Sequence, residues 1–333
     1  MQETKTNLSF CGAIQFWIAS LFIVSQNFVS LQTMKIRSMA YIVVIVLLVL
    51  VAVGFALPAA RMHKMLDRRG DGEPYNPAEF GVESSELALK SVDGVLLRAY
   101  EVAVENPKGV VICLGGIHSA TITNWYGHSK LFADNGFASL LLDVRSHGGS
   151  EGNKIYAATR EWMDVDAAVE YIRSNTRYDG VPIIAMGLSM GAATAVVATG
   201  RNEKIDALVA LSAYSDWAYN FDLNVEQVAP KFVAKMLSPF VAVVTRLRFG
   251  DKANITPRNE IKKLGNRPAL LVQSVGDKLV PYGNFVELVA AAPQVQRWVL
   301  KGDNHCIIED FVHPQNSEHY CKRIVEFLNS VAR

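Results

Sequence analysis

The sequence predicts an α/β fold, a mostly parallel sheet with helices on both faces, and three observations carry that prediction. Short apolar runs recur along the chain: Val110 to Leu114, Ala138 to Leu142, Pro182 to Met186, Ala207 to Leu211, Ala269 to Val275 and Trp298 to Leu300. Between them lie segments with helical spacing, as in Trp162, Val165, Ala168, Val169 and Ile172. The third is Gly187-Leu188-Ser189-Met190-Gly191, which directly follows one apolar run and opens an Ala-rich stretch, Ala192 to Thr199. Strands covered on both faces read as continuous apolar runs, and amphipathic helices supply the cover.

Taken in order, the elements begin with a membrane candidate. Residues 39–57 (MAYIVVIVLLVLVAVGFAL) carry no charge, and at ~1.5 Å per residue such a helix reaches ~28 Å, close to the ~30 Å hydrocarbon thickness of a bilayer. A transmembrane helix is expected over 39–57. Its apolar core exceeds the ~7–15 residues of a cleaved signal peptide, so an uncleaved signal anchor is the reading adopted. In the preceding segment, 1–38, Leu8 to Val29 is uncharged but salted with polar residues. It reads as a candidate weak second span, an interfacial helix, or an extension ahead of a start at Met34. Lys35 and Arg37 precede the main span and Arg61, Lys64, Arg68 and Arg69 follow it, so basic flanks give no clean orientation. The expectation is a single-pass protein with its domain outside the cytoplasm.

Residues 58–82 are polar with Gly and Pro and read as a linker. The domain then runs over 83–333. Leu87 to Ser91 and Val95 to Val104 flank Asp93-Gly94 as a hairpin would. The stretch between Leu211 and Ala269 is far longer than a crossover needs and includes an apolar helical segment, Val225 to Leu247, so a lid is expected over about 217–262.

Composition narrows the function classes. The 333 residues are 50% apolar and 20% charged with net charge +1, which excludes a disordered chain and leaves no basic field for nucleic acid. Cys11, Cys113, Cys306 and Cys321 are too few for a disulfide scaffold and lack paired CxxC spacing for zinc. A Cys306–Cys321 bridge is conceivable outside the cell.

The chemistry centres on Ser189. A G-x-S-x-G in a strand–turn–helix setting needs residues without bulk on either side of a serine in strained geometry, and it exposes the hydroxyl at the carboxyl edge of the sheet. A serine hydroxyl is a weak nucleophile until a base takes its proton, and the base needs a third group to orient it. Of the seven histidines only His305, His313 and His319 follow Ser189. His305 lies in the loop after the Trp298 to Leu300 run, where a strand end delivers it to the site, whereas His313 and His319 flank or enter the last helix. For the acid, Asp277 sits at the turn Gly276 to Pro281 after a strand; Asp216 is the serious competitor, and Asp303 is too near His305 in sequence to reach the back of its ring. Two backbone donors are needed for the developing oxyanion: Met190 N–H, next to the nucleophile, and one from the Leu114-Gly115-Gly116-Ile117-His118 loop, Gly116 first and Ile117 second. His118 is expected at the pocket entrance.

These residues together resemble the α/β-hydrolase fold serine hydrolases, over roughly Leu87 to the C-terminus. Asp143-Val144-Arg145-Ser146-His147-Gly148-Gly149-Ser150-Glu151-Gly152 looks like the D-x-R-x-H-G-x-S-x-G segment of many such hydrolases, and the resemblance implies that Asp143 and His147 are scaffold. Within the superfamily the chain is similar to the serine aminopeptidase-like, monoacylglycerol lipase-like and acyl-thioesterase-like branch. It departs from many relatives in having Leu114-Gly115 where they have His-Gly, which removes a side chain often used to brace the oxyanion loop. The expected protein is a membrane-anchored hydrolase with Ser189, His305 and Asp277 as triad, acting on a small hydrophobic acyl ester or thioester, without metal or organic cofactor. An aminopeptidase-like amidase and a catalytically silent membrane-anchored binding protein of the same fold are the alternatives.

Overall fold

The strands assemble in one eight-stranded sheet of order β1-β2-β4-β3-β5-β6-β7-β8. Strands β1 (Ser85–Lys90) and β2 (Leu96–Val102) pair antiparallel with Leu89 opposite Leu97. The turn between them places Gly94 at φ 94°, a conformation that glycine adopts without steric cost. Strand β2 also runs antiparallel to β4 (Ala138–Asp143). From β4 through β3 (Val110–Leu114), β5 (Ile183–Leu188), β6 (Ala207–Leu211), β7 (Ala269–Ser274) and β8 (Gln296–Leu300) every pairing is parallel. Strands β3 to β7 are buried along their whole length, which is why each is an unbroken apolar run, while the edge strand β8 is largely half-buried or exposed.

The computed structural model describes residues 10–117 and 119–332; Leu8, Ser9 and His118 lie outside them, as does the Cys11 side chain. Helices α2 (Tyr126–Asp134), α3 (Trp162–Ser174), α4 (Met190–Arg201), α8 (Gly283–Ala291) and α9 (Glu318–Val331) cover the sheet. Two apolar clusters result, one on each face. Alternation along β3 divides its side chains between them, with Val110, Ile112 and Leu114 in one and Val111 and Cys113 in the other. Helix α4 is buried from Met190 to Gly200, so its small residues let it sit close to the strands. The long insert between β6 and β7 is helical: α5 (Trp217–Glu226), α6 (Lys231–Phe249) and the short α7 (Pro257–Glu260).

The chain divides at Leu57/Pro58 into two units. Helix α1 (Phe10–Leu66) belongs to the first unit through Leu57. From Ala19 onward it is long and apolar enough to cross a membrane, with a window of mean hydropathy 3.1. Within the described residues the two apolar stretches lie in one continuous helix, with no turn between them.

The segment 58–82, expected as a linker, begins the second unit and is docked on it. Met62 and Leu66 are buried in the core, the Leu66 carbonyl accepts the Ile155 N–H at 2.8 Å, and Gly70 exchanges backbone hydrogen bonds with Ser146 and Gly148. Arg69 donates to the carbonyls of Gly148 and Ser150. The charged residues around Met62 and Leu66 mask a two-position apolar stripe at i, i+4 spacing, enough to seat one helical turn. Cys113, Cys306 and Cys321 are free thiols, so the conceivable Cys306–Cys321 bridge is not formed here; burial pushes the Cys113 thiol far up.

Below the β1–β2 hairpin Arg145 holds the loops together. Its guanidinium donates to Asp164 at 2.6 Å and to Asp93 at 2.6 Å, and these carboxylates hold its pKa above the usual arginine value even though burial opposes the charge. Both Arg145 and Asp164 are buried. Removing one partner of a buried pair strands the other, which costs on the order of 3–5 kcal/mol. Asp164→Ala is therefore expected to lower stability to denaturant by about that amount, and a loss below about 1 kcal/mol on chemical denaturation would contradict this account.

Candidate active site

Ser189 stands at the sharpest backbone turn of the sheet edge. It ends the path out of β5 with φ 57° and ψ −117°, outside the regions L residues favour, and α4 begins at the next residue. Its N–H is tied to the Leu211 carbonyl at 2.8 Å and its own carbonyl accepts from Ala193 N–H at 3.0 Å. The flanking glycines are required by space. A Cβ on Gly187 would lie 2.3 Å from the Gly191 backbone, and one on Gly191 would lie 2.2 Å from the Leu114 carbonyl oxygen. The strained serine is thus clamped between β3 and α4, as P-loop-like or catalytic turns are when the surrounding structure over-determines them.

Asp277 and His305 come from the ends of β7 and β8. The His305 Nδ1 lies 2.7 Å from Asp277 Oδ2. An ionised carboxylate only accepts, so Nδ1 carries the proton and Nε2 is left with a free lone pair. The Asp277 carboxylate is fully buried and fully occupied: Oδ1 accepts the N–H groups of Leu279 (2.8 Å) and Val280 (3.0 Å), and Oδ2 also accepts Gln273 Nε2 (3.1 Å). The rivals are used otherwise. Asp216 caps α5 by accepting the Tyr219 N–H at 3.0 Å, and Asp303 is exposed. His313 meets the exposed Asp310, and His319 packs edge-on to Trp298.

The loop after β3 faces the serine. A Cβ placed on Gly116 would lie 3.7 Å from Ser189 Cβ, at ordinary van der Waals distance, so this backbone lies beside the serine. The Gly116 carbonyl is folded back onto Ser119 N–H at 3.1 Å. His147 reaches across to the Ile117 carbonyl, 2.9 Å from its Nε2. A ring from the turn after β4 thereby braces the loop after β3. Asp143, in the same motif, accepts the N–H groups of Ile122 and Gly149, and burial raises its pKa. Met190 is the first residue of α4, and the first N–H groups of a helix have no acceptor within it.

Ser189, Met190, Gly116, Ile117 and His305 line one cavity of about 590 Å³, with Asp277 behind the histidine and outside the lining. Trp217, Asn220, Phe221 and Asn224 enter it from α5 at three- and four-residue spacing, together with Trp125, Leu188, Leu279 and Val280. Three supporting residues had no signal strong enough to be singled out from sequence. Gln273, a polar residue inside the buried strand β7, bridges Asp277 and the Val280 carbonyl. Ser212 donates to the His305 carbonyl and Ser274 to the Asn304 carbonyl, both at 2.7 Å, fixing the histidine loop. Arg61, Lys64 and Arg68, from the segment expected as a linker, also line the cavity.

Sheet order, strained serine turn and loop placement define an α/β-hydrolase. The Hydrolase_4 family, serine aminopeptidase S33, matches residues 105–308, and the chain belongs to it. The uncharacterized protein YqkD of Bacillus subtilis is 25% identical over 258 residues, covering 75% of this chain and 81% of YqkD. Protein bem46 of Schizosaccharomyces pombe is 23% identical over 222 residues, covering 64% of this chain and 67% of bem46. Among solved structures the Pyrococcus furiosus esterase Pf2001 superposes with TM-score 0.63 at 20% identity, covering 80% of this chain and 98% of the esterase; at that identity the likeness is one of fold.

Because Gly191 has backbone on its Cβ side and no flexible neighbour to move, Gly191→Ala is expected to displace α4 and cost at least the ~1–3 kcal/mol typical of overpacking. The measurement is the melting temperature; an unchanged value would show that the helix can retreat from β3.

Proposed function

We propose that this chain is a membrane-anchored serine hydrolase that cleaves an ester or thioester of a hydrophobic acyl group. The observation that carries this reading is the Asp277–His305 pair at 2.7 Å beside a cavity shared with Ser189 in its strained turn. Ser189 Oγ attacks the acyl carbonyl while His305 Nε2 takes its proton. Asp277 keeps the proton on Nδ1 and stabilises the imidazolium. The Met190 and Gly116 N–H groups, with Ile117 N–H as the alternative second donor, receive the oxyanion. Collapse of the tetrahedral intermediate breaks the bond to the leaving alcohol or thiol, which departs with the proton from His305. Water, deprotonated by the same histidine, then releases the acid and restores the serine. The apolar lining from Trp125, Trp217, Phe221 and Leu279 supports a hydrophobic acyl group. The family's description as serine aminopeptidases favours amide cleavage as the second reading.

The apolar run 39–57 supports anchoring, and we propose the extracytoplasmic side for the hydrolase domain. Retention in the membrane pellet through an alkaline carbonate wash is the expected outcome; release into the supernatant contradicts the anchor.

Labelling by a fluorophosphonate is expected for the wild type and lost in Ser189→Ala and His305→Ala. A folded wild type that does not label supports the silent binding protein instead. Comparing a matched ester and amide panel decides between the two hydrolase readings. Asp277→Asn is expected to lower kcat on the order of 10⁴-fold by imposing the wrong tautomer. Asp216→Asn should change turnover by less than about twofold and stability by no more than the ~1 kcal/mol of an N-cap; a larger kinetic loss at Asp216 would transfer the acid role to it.

A further inference from the structure

The cavity wall contains a charge pattern that hydrolysis of a neutral ester does not use. Arg61, Lys64 and Arg68 line it, and the lining includes no aspartate or glutamate. The three are exposed, and among the described residues none has an ion-pair partner. Acids were within reach along the same segment but are committed elsewhere. Asp67 is taken by Arg248 and His63, which hold its pKa down to about 2, and Asp71 by Arg69. Arg61, Lys64 and Met65 follow at three- and four-residue spacing, so the helix turn that buries Met62 and Leu66 in the core presents this other face to the cavity. Two further donors belong to lining residues and have no acceptor among the described residues: the Tyr214 hydroxyl, on a buried side chain, and the Trp217 indole N–H. An unpartnered buried donor is costly unless a ligand or water satisfies it. The cavity thus offers apolar walls, three free cations and two free donors.

Resting on the hydrolase reading above, we propose that the substrate is an anionic amphiphile, an acyl ester whose alcohol part carries a phosphate-like negative group that Arg61, Lys64 and Arg68 receive. The acyl chain takes the aromatic and aliphatic wall, and the anion takes the cationic one. Only three residues separate Arg61 from the end of the apolar run at Leu57, and at most ~3.6 Å per residue keeps the Arg61 backbone within ~15 Å of that end whatever its conformation; Lys64 and Arg68 follow three and seven residues later. Such a site is placed to take a charged lipid as it leaves a membrane surface. The role of the three cations is specificity, because none of them is positioned by the proposed mechanism at the reacting atoms.

The test uses the full chain in a neutral detergent and two short, water-soluble esters with the same acyl chain, 1-hexanoylglycerol 3-phosphate and 1-hexanoylglycerol, so that attraction to a charged surface plays no part. The phosphate ester is expected to have a kcat/KM at least about tenfold higher, shrinking as added salt shortens the screening length from ~10 Å at 0.1 M towards ~3 Å at 1 M. In the triple variant Arg61→Gln, Lys64→Gln, Arg68→Gln the ratio of the two kcat/KM values should collapse, through a rise in KM for the phosphate ester; Arg61→Gln alone should move it the same way by less. Lys262→Gln, an exposed cation outside the cavity lining, should leave the ratio as it is. A wild type without preference for the phosphate ester, or a preference that survives the triple variant, overturns the proposal while the hydrolase reading stands. No turnover of either ester together with no fluorophosphonate labelling removes both.

Discussion

The close approach of Gly191 to the carbonyls of Leu114 and Gly115 is the constraint on which the catalytic edge depends. It brings the first turn of α4 against the end of β3, where Ser189 takes a positive φ and lines the cavity together with Met190. Gly187 meets the same helix from the strand side. A serine at φ 57° is costly for an isolated peptide, on the order of 1–3 kcal/mol, and persists because the sheet, the helix and the hydrogen bond to Leu211 all impose it. The loop holding Gly116 lies against the same serine, where a Cβ would meet Ser189 Cβ at 3.7 Å.

The second requirement is a buried carboxylate that stays where an imidazole needs it. Burying such a group is unfavourable unless its lone pairs are met, and Asp277 meets that condition with two backbone N–H groups, Gln273 and His305. Asp143 is treated differently by the same chain. Its partners are backbone N–H groups from two loops and its pKa is raised by burial, so it ties the loop after β3 to the turn after β4. His147 lies in that turn and touches the Ile117 carbonyl. The motif containing Asp143 and His147 therefore holds the loop after β3 in place.

Much of this was legible in the sequence because each signal was local. Strands β3 and β6 occupy the same residues as their apolar runs, Ser189 directly follows β5, and Asp277 and His305 lie in the loops just after β7 and β8. The hidden parts depend on partners distant in sequence. Gln273 reads as one polar residue in an apolar run until its two acceptors are in place, and Asp93 and Asp164 find Arg145 only when the hairpin folds over α3. The segment 58–82 reads as a linker because Arg61, Lys64, Asp67, Arg68 and Arg69 dominate the composition of its first part, while Met62 and Leu66 meet the core. Average polarity hides a two-residue stripe; geometry does not.

That stripe also decides where the hydrolase unit can be separated from the apolar helix before it. A fragment starting in the polar stretch near Tyr75 would lose two buried side chains, each worth on the order of 2–5 kcal/mol when deleted from a core, and with them the backbone bonds of Leu66 and Gly70. A cut among Ala56, Ala59 and Ala60 would keep both. Cleavage at those alanines would therefore leave the hydrolase unit whole, whereas cleavage near Tyr75 would leave one missing part of its own interior.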